Sequence, residues 1–131
     1  MTSDIGSFRI DLEVENVARP GAREWVSSAL VNTGAALSCF PGDLLDQLAV
    51  PPLRLRRFRQ ANGSVLERWT GPAFVHAAGV STTDEVVFGE PGDLILVGSR
   101  TLEGLNLRVD PVAKTLTDAG PMPLAPAHFL Q

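Results

Sequence analysis

Asn32-Thr33-Gly34 is the segment whose residue types and position are best suited to chemistry. It follows the apolar run Ala29 to Val31 and precedes a second small and apolar stretch that ends at Pro41-Gly42. A polar residue that ends a buried strand on a glycine turn has a fixed position and an exposed side chain. We therefore expect the functional site at this loop.

Other kinds of reactive site find little support in the sequence. His76 and His128 lack partners at metal-ligand spacing, so we predict no metal site and no cofactor. Cys39 follows the loop, where a nucleophile and a small buried hydrophobic residue are both conceivable, and we favour the buried residue. No glycine-rich phosphate loop precedes a helix, and no serine-centred elbow is present.

The length and composition indicate one small domain. The chain has 131 residues, of which 44% are hydrophobic, which is enough for one core. We assign residues 1–118 to this domain and residues 119–131, which contain three prolines, to an extended tail. A net charge of −4 argues against a nucleic-acid partner, and a single cysteine excludes an internal disulfide.

Nothing in the sequence indicates a membrane segment or export. No apolar run approaches the roughly 20 residues that a membrane helix needs. The first residues have neither the basic region nor the apolar region of a signal peptide. We expect a cytoplasmic protein that does not contact membranes.

Hydrophobic alternation and turn signals predict an all-β fold. We expect strands at residues 8–14, 24–31, 72–78, 82–88 and 94–98, and a final pair at 107–111 and 115–116. The continuous apolar run at 94–98 is typical of a strand buried on both faces. One short helix is predicted from Arg100 to Leu105, with Gly104 or Asn106 as its left-handed end. One or two helical turns are also possible at residues 43–48, with Asp43 as the cap.

Two blocks of the sequence resemble retropepsin-like aspartic proteases of the bacterial, single-domain type, and the resemblance covers most of residues 8–117. The active-site loop of that family reads apolar-apolar-Asp-Thr/Ser-Gly-Ala and is followed by Ser and Pro. The first matching block is Leu30-Val31, Thr33-Gly34-Ala35, Ser38 and Pro41; the second is Leu96-Val97-Gly98, Leu102, Leu105-Asn106-Leu107 and Val109-Asp110-Pro111. Asn32 stands where the family has its catalytic Asp. Ser99-Arg100 departs from the family's usual Arg after the Gly, so the ion pair behind the loop is not carried over.

The resemblance implies a retropepsin-like closed β-barrel or sandwich, with a flap hairpin, one short helix and one lobe per chain. Asn62-Gly63 lies where the family has its flap, and Asn-Gly favours a type I′ turn with positive φ at both residues. An ordinary surface hairpin is the alternative interpretation. Substrate contacts are expected from the loop and the flap tip, at Ala35, Ala36, Ala61, Asn62, Gly63 and Ser64.

The activity implied by the resemblance is that of an aspartic endopeptidase, active as a homodimer on extended peptides. Two carboxylates share one proton and activate a water. One loop per chain means that two chains must contribute one carboxylate each. Asn32, with Thr33 and Gly34 beside it, removes the acid and leaves the chain as written inactive. Asn32 is either an engineered Asp→Asn change, which we favour, or a natural loss that leaves a peptide-binding or dimerisation module. A structural β-domain that matches by chance is a third interpretation.

Two further segments allow more than one interpretation. Leu53 to Gln60 carries four arginines, which fit a nucleic-acid patch, a site for acidic peptides or, as we favour, the solvated face of an edge strand. Phe129-Leu130 in the tail is either a self-processing site or part of a disordered terminus, and we favour the latter.

Overall fold

Strands dominate the computed structural model, which describes residues 8–124, and the all-β class predicted from the sequence is confirmed. The elements in chain order are β1 Arg9–Glu15, β2 Arg23–Val31, β3 Cys39–Pro41, α1 Gly42–Gln47, β4 Arg54–Arg59, β5 Val65–Ala77, β6 Val80–Gly89, β7 Leu96–Val97, α2 Ser99–Leu105, β8 Leu107–Asp110 and β9 Thr115–Asp118.

Seven strands form one mixed sheet in the order β1-β2-β7-β3-β6-β5-β4. β5 also pairs with β1, so the pairing returns to the first strand. The links through β3 and β7 are only three and two residues long. The sheet therefore curves so that its strand pairing returns to β1, but it is not a clear barrel. β8 and β9 form a separate antiparallel pair, as predicted.

The predicted strand at residues 72–78 is the second half of one long strand, β5, which begins at Val65. Proline usually interrupts a strand, because it has no N–H to donate. Pro72 is accommodated because β4 pairs with β5 only as far as Thr70, whereas β1 first pairs at Phe74. One side of β5 has no strand partner at Pro72 among the described residues.

The apolar run at residues 94–98 is less regular than predicted. Only Leu96 and Val97 form a strand, and Leu94 is exposed. Val97 is fully buried between β2, which runs parallel to it, and β3, which runs antiparallel. The prediction of a strand buried on both faces therefore holds for its centre and is wrong for its first residues.

The described residues contain two short helices where the fold prediction named one. α1 follows Pro41, whose side chain makes no cap hydrogen bond, and Asp43 lies within the first turn, so the prediction of Asp43 as the cap is wrong. α2 ends at Asn106, with φ +55°, as one of the two predicted alternatives. Gly104 lies inside α2, where Thr82 of β6 packs so closely that a Cβ would overlap its Oγ1.

The hydrophobic core lies between the curved sheet and the two helices. Its largest fully buried side chains are Phe40, Leu12, Leu45, Val14, Val75, Val86 and Val97. The central strands and both helices thus share one core. Neither helix within residues 8–124 has the length and apolar character needed to cross a membrane.

Candidate functional site

The loop that carries Asn32 begins where β2 ends, between two neighbouring segments. Val31 N–H donates to the Phe8 carbonyl at 2.9 Å, and Asn32 N–H donates to the Val97 carbonyl at 2.9 Å. The backbone of Asn32 is therefore fixed on β7. Its side chain is half-buried, and Thr33 and Gly34 beyond it are exposed. The structure thus places a polar residue at the end of a strand, as predicted, although only the last three residues of β2 are buried or half-buried in succession.

The side chain of Asn32 is oriented by its own loop. Its Oδ1 accepts the N–H of Gly34 at 2.9 Å, and its carbonyl accepts the N–H of Ala35 at 3.2 Å. An ideal Cβ on Gly34 would lie 3.2 Å from that Oδ1, so the small residue leaves room for the contact. A carboxylate is nearly isosteric with the amide and accepts the same hydrogen bond.

The far side of the loop is joined to the start of α2. Ser99 N–H donates to the Ala35 carbonyl at 2.8 Å, and Arg100 N–H donates to the Ala36 carbonyl at 3.1 Å. These loop carbonyls satisfy backbone donors that a helix start leaves without partners. A Cβ on Gly98 would lie 2.6 Å from the Leu37 carbonyl oxygen, so the approach requires glycine. Ala35 and Ala36 thus bind α2 through their backbone carbonyls.

A chain of buried polar groups supports the loop from behind. Gly98 N–H donates to Ser38 Oγ at 3.0 Å, Ser38 Oγ contacts Thr101 Oγ1, and Thr101 Oγ1 donates to Asp84 Oδ2. Ser38, Thr101 and Asp84 are all buried. Because the carboxylate only accepts, each hydroxyl in turn donates toward Asp84 and accepts from the preceding group. Ser38 was part of the resemblance, but Asp84 and Thr101 were missed.

The arginine of α2 meets acidic residues of β6, a pairing that the sequence did not indicate. Arg100 lies 3.5 Å from Asp84 and 3.4 Å from Glu85, and Arg56 lies 3.0 Å from Glu85. Burial opposes ionisation of Glu85, but the hydrogen bonds from Thr70 and Arg56 outweigh it and lower its pKa. One sign of this cluster was present in the sequence, where Asp84 and Glu85 are adjacent acidic residues in a segment predicted to be a strand.

The predicted hairpin is present, although its turn differs from the prediction. Gln60 N–H donates to the Ser64 carbonyl at 2.8 Å, and Gly63 N–H donates to the Gln60 carbonyl at 2.9 Å. Only Gly63 has positive φ, at +87°, so the predicted type I′ geometry at Asn62-Gly63 is wrong. The loop has three residues, and glycine takes the left-handed position that such loops require. Positive φ at both central residues occurs instead at Ala78-Gly79, between β5 and β6.

The hairpin tip is held by its own side chains. Asn62 Oδ1 accepts the N–H of Ser64 at 3.0 Å and the Ser64 hydroxyl at 2.6 Å. Ala61, Asn62, Gly63 and Ser64 are all exposed. Within the described residues, no hydrogen bond joins this tip to the loop at Asn32. The two predicted parts of the site, the loop at Asn32 and the hairpin tip, are therefore not joined by hydrogen bonds within one chain's described residues.

Neither of two surface cavities includes the loop at Asn32. One, of about 370 Å³, contains Trp25, His76 and Ser81, and the other, of about 320 Å³, contains Thr70, Glu85 and Arg100. Thr33, Gly34 and Ala36 of the loop are exposed. A site that must exclude water there needs a further wall, which neither of these two cavities of the described residues provides.

A second polar cluster, around Glu15, was also missed. Its carboxylate accepts the N–H of Gly21 and lies 2.7 Å from His76 Nε2 and 3.5 Å from Arg23 Nε. The hydrogen bonds from Gly21 and His76 lower the pKa of Glu15. The partners of this buried carboxylate come from β2, from β5 and from the turn before β2, so the cluster ties β1, β2 and β5 together.

Cys39 is half-buried in β3, a strand inside the large sheet, where the sequence predicted a small buried residue. Burial raises the pKa of its thiol to about 11, and the negative charge of Asp93 acts in the same direction. The thiol is therefore protonated near neutral pH and is a poor nucleophile. Within residues 8–124, no group of three or more His, Cys, Asp or Glu side chains is placed to hold a metal ion. His128 and Phe129-Leu130 lie outside the described residues.

No protein-family model matches the chain, and no curated protein matches it significantly.

Proposed function

We propose that this chain is a retropepsin-like aspartic protease domain that works as a homodimer and that Asn32 renders it catalytically inactive as written. The observation that carries the proposal is the loop after β2, in which Asn32 Oδ1 accepts the Gly34 N–H at 2.9 Å while its backbone is fixed on β7. The sequence blocks and the hairpin at Asn62-Gly63 support the same interpretation.

The chemistry proposed for the parent site needs an acid at position 32 in each of two chains. Two carboxylates close together cannot both ionise, so they share a proton. The ionised carboxylate takes a proton from water, and the protonated one donates to the peptide carbonyl. The amide of Asn32 does neither, because it neither takes up nor releases a proton near neutral pH.

The dimer follows from the incompleteness of one chain. Each chain has one such loop, and Thr33 and Gly34 of the loop are exposed and line neither cavity. A twofold axis through the two loops would bring the second copy of position 32 opposite the first and provide the missing wall. The two hairpins would then close over an extended peptide, bound by backbone hydrogen bonds.

The decisive variant is Asn32→Asp, which adds the carboxylate with almost no change in volume. We expect it to cleave peptides of a diverse library between about pH 4 and pH 7, with a maximum at mildly acidic pH, as shared-proton carboxylates require. Cleavage is measured by mass spectrometry and should be blocked by statine-type mimics of the transition state.

Asn62→Asp is the matched control. Asn62 Oδ1 also accepts a backbone N–H two residues ahead, from Ser64, so the change adds a carboxylate in a similar turn elsewhere. This variant should remain inactive. If Asn32→Asp dimerises but cleaves nothing, the alternative of a natural peptide-binding or dimerisation module is favoured. If it neither dimerises at tens of micromolar nor cleaves, the proposal is wrong.

The dimer has its own signature in its dependence on pH. In the Asn32→Asp variant, two facing carboxylates at position 32 would raise one pKa of the pair, so the dimer affinity should fall as pH rises through that pKa. The chain with Asn32 has no such group at the axis and should lack this dependence. Sedimentation of both chains across the same pH range measures the difference, and identical affinities at every pH would show that the loops do not face each other.

A further inference from the structure

The arginine-rich strand β4 lies at an edge of the large sheet. It pairs with β5 on one side, and no strand of residues 8–124 pairs with its other side. Open strand edges accept further strands unless something prevents it. The chemistry of this edge therefore decides what binds there.

The backbone groups that point to the open side can be identified from the hairpin. Gln60 N–H donates to the Ser64 carbonyl, so the backbone of Gln60 faces β5. Inward and outward groups alternate along an antiparallel strand. The N–H and C=O groups of Leu55, Arg57 and Arg59 therefore point away from β5 and are available to an added strand.

The side chains of the same three residues share one exposed face of the hairpin. Opposite them on β5 are Trp69, Glu67 and Val65, respectively. All six are exposed, with Leu55 at 47% and Trp69 at 48%. Arg56, by contrast, belongs to the other face and is bound to Glu85. Neither Arg57 nor Arg59 forms an ion pair with any described residue.

We propose that the outer edge of β4 binds an extended acidic peptide as an additional antiparallel strand. An added strand places one residue directly opposite each of Arg59, Arg57 and Leu55, and opposite charges in such pairs are favourable. Read from its N-terminus, the peptide should carry the pattern acidic-x-acidic-x-apolar, with the apolar side chain on Leu55 and Trp69. The site does not involve Asn32 and does not depend on the proposed protease function.

Charge favours this occupant over two others. A second copy of β4, paired antiparallel about Arg57, would set that arginine against its own copy, and like charges opposite each other are destabilising. Nucleic acid would be repelled by the net charge of −4 on the whole chain. A short acidic strand avoids both penalties and satisfies the outward backbone groups.

Binding of a labelled peptide, Thr-Glu-Thr-Glu-Thr-Leu-Thr, to the full chain tests the proposal by fluorescence anisotropy. A control peptide, Thr-Thr-Glu-Glu-Thr-Leu-Thr, has the same composition, but its acidic residues fall on opposite faces of a strand. We expect the first peptide to bind more tightly, by up to about fivefold, because the control loses one cross-strand charge pair and such a pair contributes about 0.2–1 kcal/mol. N-methylation of its second glutamate should abolish binding by removing a hydrogen bond to β4.

Variants of the chain locate the site. Arg57→Glu with Arg59→Glu should weaken binding about tenfold or more, since two attractions become repulsions. The matched control is Arg108→Glu, which replaces an exposed arginine of β8 and should leave binding unchanged. Glu67→Gln should strengthen binding slightly, because it removes the acidic residue beside Arg57.

Three results would overturn the proposal. One is equal binding of the two peptides, and another is equal loss in the Arg57/Arg59 and Arg108 variants. The third is tighter binding of a seven-nucleotide single strand than of the patterned peptide, which would indicate a nucleic-acid patch. Circular dichroism of each variant verifies that the sheet is intact, so a loss of binding cannot be attributed to unfolding.

Discussion

Thr101→Val removes one hydroxyl from the centre of the buried chain that runs from Gly98 through Ser38 and Thr101 to Asp84. Valine has nearly the shape of threonine, so packing around position 101 should change little. The substitution leaves the Ser38 hydroxyl without its acceptor and Asp84 Oδ2 without its donor. Both residues are buried, so bulk water cannot readily replace the lost partner.

The expected cost follows from these two groups. A buried polar group that loses its partner costs about 1–3 kcal/mol, and a hydrogen bond to a charged group contributes about 1.5–3 kcal/mol. Asp84 keeps its contacts with the Glu85 N–H and Arg100, which limits its loss. We therefore expect the free energy of unfolding to fall by about 2–4 kcal/mol, or the melting temperature by about 10 °C for a domain of this size.

Urea unfolding of the full chain, followed by tryptophan fluorescence, measures this change at an unchanged m-value. Thr115→Val, at an exposed threonine of β9, is the matched control and should change the free energy by less than about 0.5 kcal/mol. Ser38→Ala should cost less in the Thr101→Val background than alone, because the hydroxyl it removes there has already lost its acceptor. If Thr101→Val costs no more than Thr115→Val, the polar chain does not support the loop.

Two further predictions concern α2 and the acidic pair behind the loop. Gly104→Ala should destabilise the fold by about 1–3 kcal/mol despite the better helix propensity of alanine, because its Cβ would overlap Thr82 Oγ1. Thr82→Ala in the same chain should recover part of the loss, and a Gly104→Ala variant of normal stability in urea would contradict the packing. Glu85 has a pKa below its ordinary 4.5, so the stability from its ionised form is present above pH 4.5 and is lost as pH falls through the lowered value. Glu85→Gln should therefore flatten the loss of stability below about pH 4.5, as measured by unfolding across pH.

Local sequence patterns were sufficient where a segment's structure depends on its own residues. The alternation of residues 8–14 predicted β1, and the apolar run before Asn32 predicted a strand that ends at that residue. The hairpin at Asn62-Gly63 formed as expected, because a glycine near its tip supplies the positive φ that the loop needs. Asn106 took the left-handed position at the end of α2 for the same local reason.

Tertiary contacts decided the features that local patterns did not indicate. Pro72 lies within β5 because neither β4 nor β1 reaches it, a fact that depends on where those strands end. Gly104 lies inside a helix against Thr82 of β6, a close approach that no local pattern indicates. The type of turn at Asn62-Gly63 depended on the length of the loop between paired strands, which a dipeptide signal does not contain.

The sequence by itself determined the β class, the position of Asn32 at a strand end and the small residues around it, because each of these follows from local pattern. Only the tertiary structure decided what lies behind that loop. Ser38, Asp84 and Thr101 come from distant parts of the chain, and their hydrogen bonds exist only after β3, β6 and α2 have packed. Burial requires each polar group to find a partner, and which partner it finds depends on the fold as a whole.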